Sequence, residues 1–284
     1  MVTGPHDYAP WSNRTRGTIG IVGHVDLSGH GPAVVLLHGQ PGSRRDWQAV
    51  AAGLAPTHTV VVPDRPGWGD SPDAAGGFAV NADIVVAQLD ELGLDAATIV
   101  GHSWGAGVAL AVAQQHPARV AGLVLVAPVV PGDRIGPMDR TLASPRLGAV
   151  LSFAALGALA FVPRLPGAGR LLTVIEPGLD VAPARSSAAT VAPLRSWRSF
   201  AVEQRALVDE LPGLAGGLAD LAVPVTVVMG TADRVIRPQA VARLMRALPG
   251  AEVVEVRAGH ALPLASPDVI VEAVTATVAR ARPR

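Results

Sequence analysis

Thr98-Ile99-Val100-Gly101-His102-Ser103-Trp104-Gly105-Ala106-Gly107-Val108 is the stretch on which the fold turns. Thr98 to Val100 reads as a short buried strand, and Trp104 to His116 reads as a helix rich in small and apolar residues. The pattern between them is Gly-x-Ser-x-Gly. A serine on so tight a strand-to-helix turn is held in a strained backbone conformation, and glycines two positions to either side let the two chains pass. Such a turn lifts the Ser103 hydroxyl clear of the sheet. It also aims the positive end of the helix at any charge that develops there.

Reading outward, strand-like and helix-like segments alternate from Ala33 onward. Ala33 to Leu37 is a continuous apolar run ending in a Gly/Pro turn, as expected of a parallel strand buried on both faces. The pattern recurs at His58 to Val62, Val120 to Val126, Val225 to Met229 and Val253 to Val256. Helical patterns lie between, at Arg45 to Leu54, Val80 to Leu92, Gln239 to Leu248 and Pro267 to Arg280. Thr18 to Asp26 alternates and suggests an antiparallel pair at the sheet edge. This order predicts an α/β fold with a mostly parallel sheet flanked by helices.

The alternation fails from Gly132 to Pro212, where prolines and apolar helical pieces such as Leu147 to Val162 and Trp197 to Leu207 replace it. Residues 1–131 and 213–284 are therefore expected to form the core, and 132–212 a helical cap, or lid, over the carboxyl edge of the sheet. The apolar run Ala149 to Val162 is short for a membrane span, which needs about 20 residues. It is expected to shelter the cleft above Ser103, so no stable membrane insertion is predicted. With no signal-like apolar segment among the first residues, a cytoplasmic location is expected.

Composition narrows the chemistry. The 284 residues carry 23 basic and 23 acidic side chains, and every basic one is Arg. Without Lys, a Schiff base and the lysine of a phosphate-binding P-loop are excluded. Without Cys, so are thiol nucleophiles, disulfides and cysteine-ligated metals. A neutral balance with no basic run gives no reason to bind nucleic acid. Gly105-Ala106-Gly107 opens a helix after a strand, but Leu110 stands where a dinucleotide fingerprint needs a small residue. No metal-binding spacing occurs, and no cofactor is expected.

A serine nucleophile needs a base, and the base needs an acid to orient it. His260, in Gly259-His260-Ala261 just past the last strand, is the candidate base, whereas His38, His58 and His102 are argued down by their positions. Asp233 follows the preceding strand and is the candidate acid. Asp133, after the strand Val120 to Val126, is the alternate, or else a hinge residue beside Gly132. Two backbone donors are expected to form an oxyanion hole: the N–H of Trp104 and that of Gln40 in the loop His38-Gly39-Gln40-Pro41-Gly42. The side chain of Gln40 is free to meet substrate or the loop. Trp47, Trp68 and Trp197 fill core or line a pocket.

Taken together, His38 to Gly42, Asp64-Arg65-Pro66-Gly67-Trp68-Gly69-Asp70-Ser71, Gly101 to Gly105, Asp233 and Gly259-His260 resemble the α/β-hydrolase superfamily. The resemblance covers most of the chain outside the cap. It implies an eight-stranded sheet, a Ser-Asp-His triad and no cofactor. It does not fix a substrate; the apolar run in the cap favours an uncharged, hydrophobic small molecule, most simply a carboxylic ester. A carbon–carbon bond hydrolase would use the same triad. So would an aminopeptidase resembling proline iminopeptidase, which needs cap carboxylates such as Glu176, Asp180, Glu203, Asp209 or Glu210 for a substrate ammonium. A non-hydrolytic ligand-binding protein on the same scaffold is the reading outside enzymes.

Overall fold

A computed structural model describes residues 24–133, 135–161, 176, 177, 179 and 193–281. The apolar runs form the sheet. The strands are β1 (Val25–Ser28), β2 (Ala33–Leu37), β3 (Thr59–Pro63), β4 (Ala97–His102), β5 (Val120–Val126), β6 (Val225–Gly230) and β7 (Glu252–Val256). Their order is β1-β3-β2-β4-β5-β6-β7, with β1 antiparallel to β3 and every other pairing parallel. Among the described residues the sheet thus has seven strands, one fewer than the resemblance implied. The antiparallel edge falls at Val25–Ser28, and residues 18–23 of the expected edge segment lie outside the described residues.

Side chains of a strand alternate between faces, so a strand apolar throughout feeds two cores. Val35, Leu37, Ile99, Leu123, Leu125, Val225 and Val227 pack on one side of the sheet. There they meet helices α2 (Phe78–Glu91), α3 (Trp104–Gln115) and the later helix Pro238–Ala247. Val34, Leu36, Val60, Val62, Val100, Val124, Val126 and Val228 face the other way, onto α1 (Gln48–Leu54) and the helix Pro267–Arg280.

Between β5 and β6 the chain leaves the sheet and forms α4 (Pro137–Ala143), α5 (Leu147–Phe161) and α6 (Pro193–Asp209), which pack against one another. Among the described residues no single helix is long and apolar enough to cross a membrane. Ser152 and Leu156 of α5 are buried, but Val150 is 66% exposed, Phe153 45% and Phe161 65%. The apolar run is therefore sheltered on one side only. A helix of 15 residues packed along one stripe leaves the opposite face to solvent whatever its composition.

Candidate active site

The carboxyl ends of β2, β4, β6 and β7 meet at one edge of the sheet, and the predicted residues lie on the loops just beyond them. Ser103 follows β4 with φ 52° and ψ −116°, a left-handed conformation costing about 1–3 kcal/mol for a residue other than Gly. Three backbone bonds hold it there. Ser103 N–H donates to Val126 O at 2.9 Å, and its own carbonyl accepts from Ala106 at 3.0 Å and Val129 at 3.3 Å. The flanking glycines have the role expected of them: a Cβ on Gly101 would run into the Gly105 carbonyl, and one on Gly105 into the carbonyls of Leu37 and His38.

Ser103 Oγ lies 3.0 Å from His260 Nε2, and His260 Nδ1 lies 2.8 Å from Asp233 Oδ2. An ionised carboxylate only accepts, so Nδ1 carries the proton and the Nε2 lone pair faces the serine hydroxyl. Asp233 is buried, and its other oxygen accepts the N–H groups of Val235 at 2.8 Å and Ile236 at 2.9 Å. Asp133 is placed elsewhere: it pairs with Arg243 in the helix Pro238–Ala247. Of the two acids, the structure brings only Asp233 to His260.

The backbone around His260 is clamped by residues to which the sequence reading gave no such role. Glu176 accepts the N–H of His260 at 2.6 Å and of Ala261 at 3.3 Å, and Gly259 N–H donates to Pro177 O at 3.1 Å. The His260 carbonyl accepts from His102 Nε2 at 2.9 Å. The His102 side chain thus reaches the loop that carries the base, with the two rings 5.0 Å apart and Trp47 edge-on at 6.5 Å. By surface area His102 is only half-buried, yet protein hems its ring closely. Burial first, and the neighbouring His260 second, depress its pKa from 6.5 to about 3, so the ring stays neutral at working pH.

The second predicted donor loop follows β2. His38 is buried, its pKa held well below the ordinary value by burial and then by Arg65. Its Nδ1–H donates to Gly39 O at 2.9 Å, while its Nε2 accepts from Arg65 N–H at 3.0 Å. The Gln40 side chain meets neither its own loop nor the serine. It donates from Nε2 to Phe200 O on α6 at 2.9 Å and accepts from Gln204 at 3.4 Å. Trp104 opens α3, so its N–H has no intrahelical acceptor.

Beneath α6 lies a buried ion pair. Glu203, 0% exposed, binds the guanidinium of Arg65, 2% exposed, and accepts from Trp68 Nε1 at 2.8 Å. Burial pushes the Glu203 carboxyl above its usual range, opposed by Arg65 and Trp68. Of the cap carboxylates considered for a substrate ammonium, Glu203 is thus committed, and Glu176 holds the His260 loop. Glu210 accepts from Phe78 N–H at 2.8 Å and Ala79 N–H at 3.4 Å, capping α2. Asp209 is exposed, and Asp180 lies outside the described residues. Trp47 and Trp68 are core, and Trp197 is half-buried with the Arg198 guanidinium 5.2 Å from its ring.

A mostly parallel sheet flanked by helices, with the candidate residues at its carboxyl edge, is the architecture of an α/β hydrolase, and the family comparison agrees on the fold. The model of the alpha/beta hydrolase fold family matches residues 32–267, and the chain belongs to that family. It is similar to 2-hydroxymuconate semialdehyde hydrolase of Pseudomonas sp. strain CF600, 39% identical over 113 residues that cover 38% of this chain and 40% of the relative. Soluble epoxide hydrolase of Corynebacterium sp. strain C12 is 36% identical over 111 residues, 38% of each chain. The matches to the curated relatives thus span well under half of their length. Among solved structures, a thermophilic esterase from Thermogutta terrifontis superposes with a TM-score of 0.76 at 24% identity, covering 92% of this chain and 94% of its own. That likeness is one of fold.

Proposed function

We propose that this protein is a serine hydrolase that cleaves a small or medium hydrophobic carboxylic ester. The observation that carries the reading is the unbroken relay from Ser103 Oγ through His260 to Asp233, with steps of 3.0 Å and 2.8 Å. Ser103 Oγ attacks the ester carbonyl while His260 Nε2 takes its proton. Asp233 holds the ring in the right tautomer and offsets the charge it gains. The N–H groups of Gln40 and Trp104 stabilise the oxyanion. As the tetrahedral intermediate collapses, the C–O bond breaks and His260 returns the proton to the leaving alcohol. Water then repeats the sequence on the acyl-serine.

Two observations support an uncharged substrate. Glu176, Glu203 and Glu210 are engaged in internal bonds, which weakens the aminopeptidase reading. The insertion over the sheet edge is largely apolar in α5. An aryl phosphonate probe with mass mapping of the adduct tests the serine step. Wild type is expected to label at Ser103, and Ser103→Ala to resist labelling and lose about 10⁴-fold or more in turnover while staying folded. An unlabelled wild type that lacks activity on esters, amides and diketones alike would favour a ligand-binding role. Faster turnover of diketones than of esters would favour carbon–carbon bond cleavage.

A further inference from the structure

The oxyanion donor assigned to Gln40 is a peptide N–H, and a peptide cannot turn unless its carbonyl turns too. In a trans peptide the C=O and N–H point in opposite directions. The Gly39–Gln40 bond is trans, the cis bond of this loop being the next one, Gln40–Pro41. Whatever holds the Gly39 carbonyl therefore aims the Gln40 N–H.

Two groups hold that carbonyl: Arg65 Nη2–H at 2.9 Å and His38 Nδ1–H at 2.9 Å. The same guanidinium donates from Nε to the His38 carbonyl at 2.8 Å, so two successive peptides are fixed by one planar group. Gly39 itself abuts the nucleophile, since a Cβ built on it would lie 3.2 Å from Ser103 Cβ. The guanidinium carbon stands 4.4 Å above the ring of Trp104, the residue bearing the other donor. Arg65 thus touches both halves of the oxyanion site from behind. Glu203 in turn holds Arg65, and Trp68 Nε1 and Trp104 Nε1 bind Glu203 through its carboxylate and its backbone carbonyl respectively.

We propose that Arg65 and Glu203 are positioning residues for the oxyanion hole, with the buried pair beneath α6 setting the direction of the Gln40 N–H through the Gly39 carbonyl. The inference rests on the serine-hydrolase reading and deepens it. A point charge on a flexible stem cannot replace the arginine, because two carbonyls and a carboxylate must be met at once by donors in a fixed plane. A buried ion pair is otherwise weak evidence for anything, since well-packed apolar residues often replace one without loss of stability. That same fact makes the test clean.

The variants are Arg65→Lys and the paired Arg65→Met/Glu203→Leu, which leaves no unpaired charge behind. Each is assayed on a 4-nitrophenyl ester and titrated with an aryl trifluoromethyl ketone, to whose carbonyl Ser103 adds to form a hemiketal oxyanion. Both are expected to lose kcat by about 10²-fold, as for removal of one oxyanion donor. Affinity for the ketone should fall by a similar factor, whereas KM changes by less than about threefold, because the donor acts on the transition state. A latch of purely structural worth predicts the reverse. The paired variant would then keep kcat and ketone affinity within about threefold of wild type, and that result overturns the proposal. Phosphonate labelling of wild type separates the two levels. No adduct at Ser103 removes the serine reading and this inference with it; an adduct together with unchanged variants removes the inference alone.

Discussion

Replacing Asp233 by Asn exchanges one oxygen for an amide nitrogen and keeps the shape of the side chain. The structure decides which way the amide must face. Val235 N–H and Ile236 N–H both point at Oδ1, at 2.8 Å and 2.9 Å. An amide nitrogen there would set donors against donors and leave the backbone groups unsatisfied at about 1–3 kcal/mol each. The asparagine therefore keeps its oxygen at that end and turns its NH₂ toward His260 Nδ1. The imidazole must then accept at Nδ1 and carry its proton on Nε2, the atom 3.0 Å from Ser103 Oγ. With Nε2 protonated, the serine has no base.

The expected loss is about 10⁴-fold in kcat, the effect of the wrong tautomer in a serine triad. It corresponds to about 5 kcal/mol in the barrier. Steady-state hydrolysis of a 4-nitrophenyl ester measures it, with the melting temperature as a check that the fold survives. Asp133→Asn is the matched control. It weakens the pair with Arg243, away from His260, and should leave kcat within about twofold of wild type. If Asp233→Asn stays within about tenfold of wild type, or Asp133→Asn is the crippling change, the acid has been misassigned.

Two further perturbations address the surroundings. The folded pKa of His102, about 3, lies below its ordinary 6.5, so on acidification through that window the unfolded chain takes up a proton that the folded one refuses, and stability falls. His102→Gln keeps an N–H donor for the His260 carbonyl and removes that proton. Its urea midpoint should therefore drop less than that of wild type between about pH 7 and pH 4.5, and equal drops would refute the placement of the ring. In the insertion, Leu156→Asp buries a carboxylate at a site only 1% exposed and should cost several kcal/mol by thermal melting. Phe153→Asp, at a site 45% exposed, should stay within about 0.5 kcal/mol. Melting shifts of equal size in the two variants would mean that α5 packs by a different face.

What the sequence yielded and what it withheld follow different physics. β2 and β5 fall where the apolar runs Ala33 to Leu37 and Val120 to Val126 place them, because a strand covered by helices on both faces has nowhere to put a polar side chain. Ser103, Asp233 and His260 were legible for a topological reason. Parallel strands end on one edge, so residues just past β4, β6 and β7 converge whatever lies between them. The edge strand is legible in part: the alternating segment Thr18 to Asp26 overlaps Val25–Ser28, which pairs with β3, and residues 18–23 lie outside the described residues. His102 is argued down as the base by its place beside Ser103, and that placement says nothing of what its ring reaches. It stands at the end of β4, where the chain is already turning, and its ring reaches the His260 loop.

The polar network under α6 was the least legible part, although its members are among the most buried side chains in the protein. Arg65 and Glu203 are 138 residues apart, and a glutamate on a helix read alone is indistinguishable from a solvated one. The available clue was periodicity: Ser196, Ser199 and Glu203 fall on one helical stripe, and all three are buried. A stripe of small hydroxyls around one acid is the face a helix presents to a polar partner. The consequence reaches past the ion pair. Ser199 Oγ–H donates to Gly67 O at 2.7 Å, Gln40 Nε2–H to Phe200 O at 2.9 Å and Trp104 Nε1–H to Glu203 O at 3.3 Å, so α6 is tied to three separate core segments. Each such bond contributes about 0.5–1.5 kcal/mol net and the charged one more. Lifting α6 from the core would forfeit them together, a cost of several kcal/mol. α6 is therefore fastened to the core through polar contacts along one face.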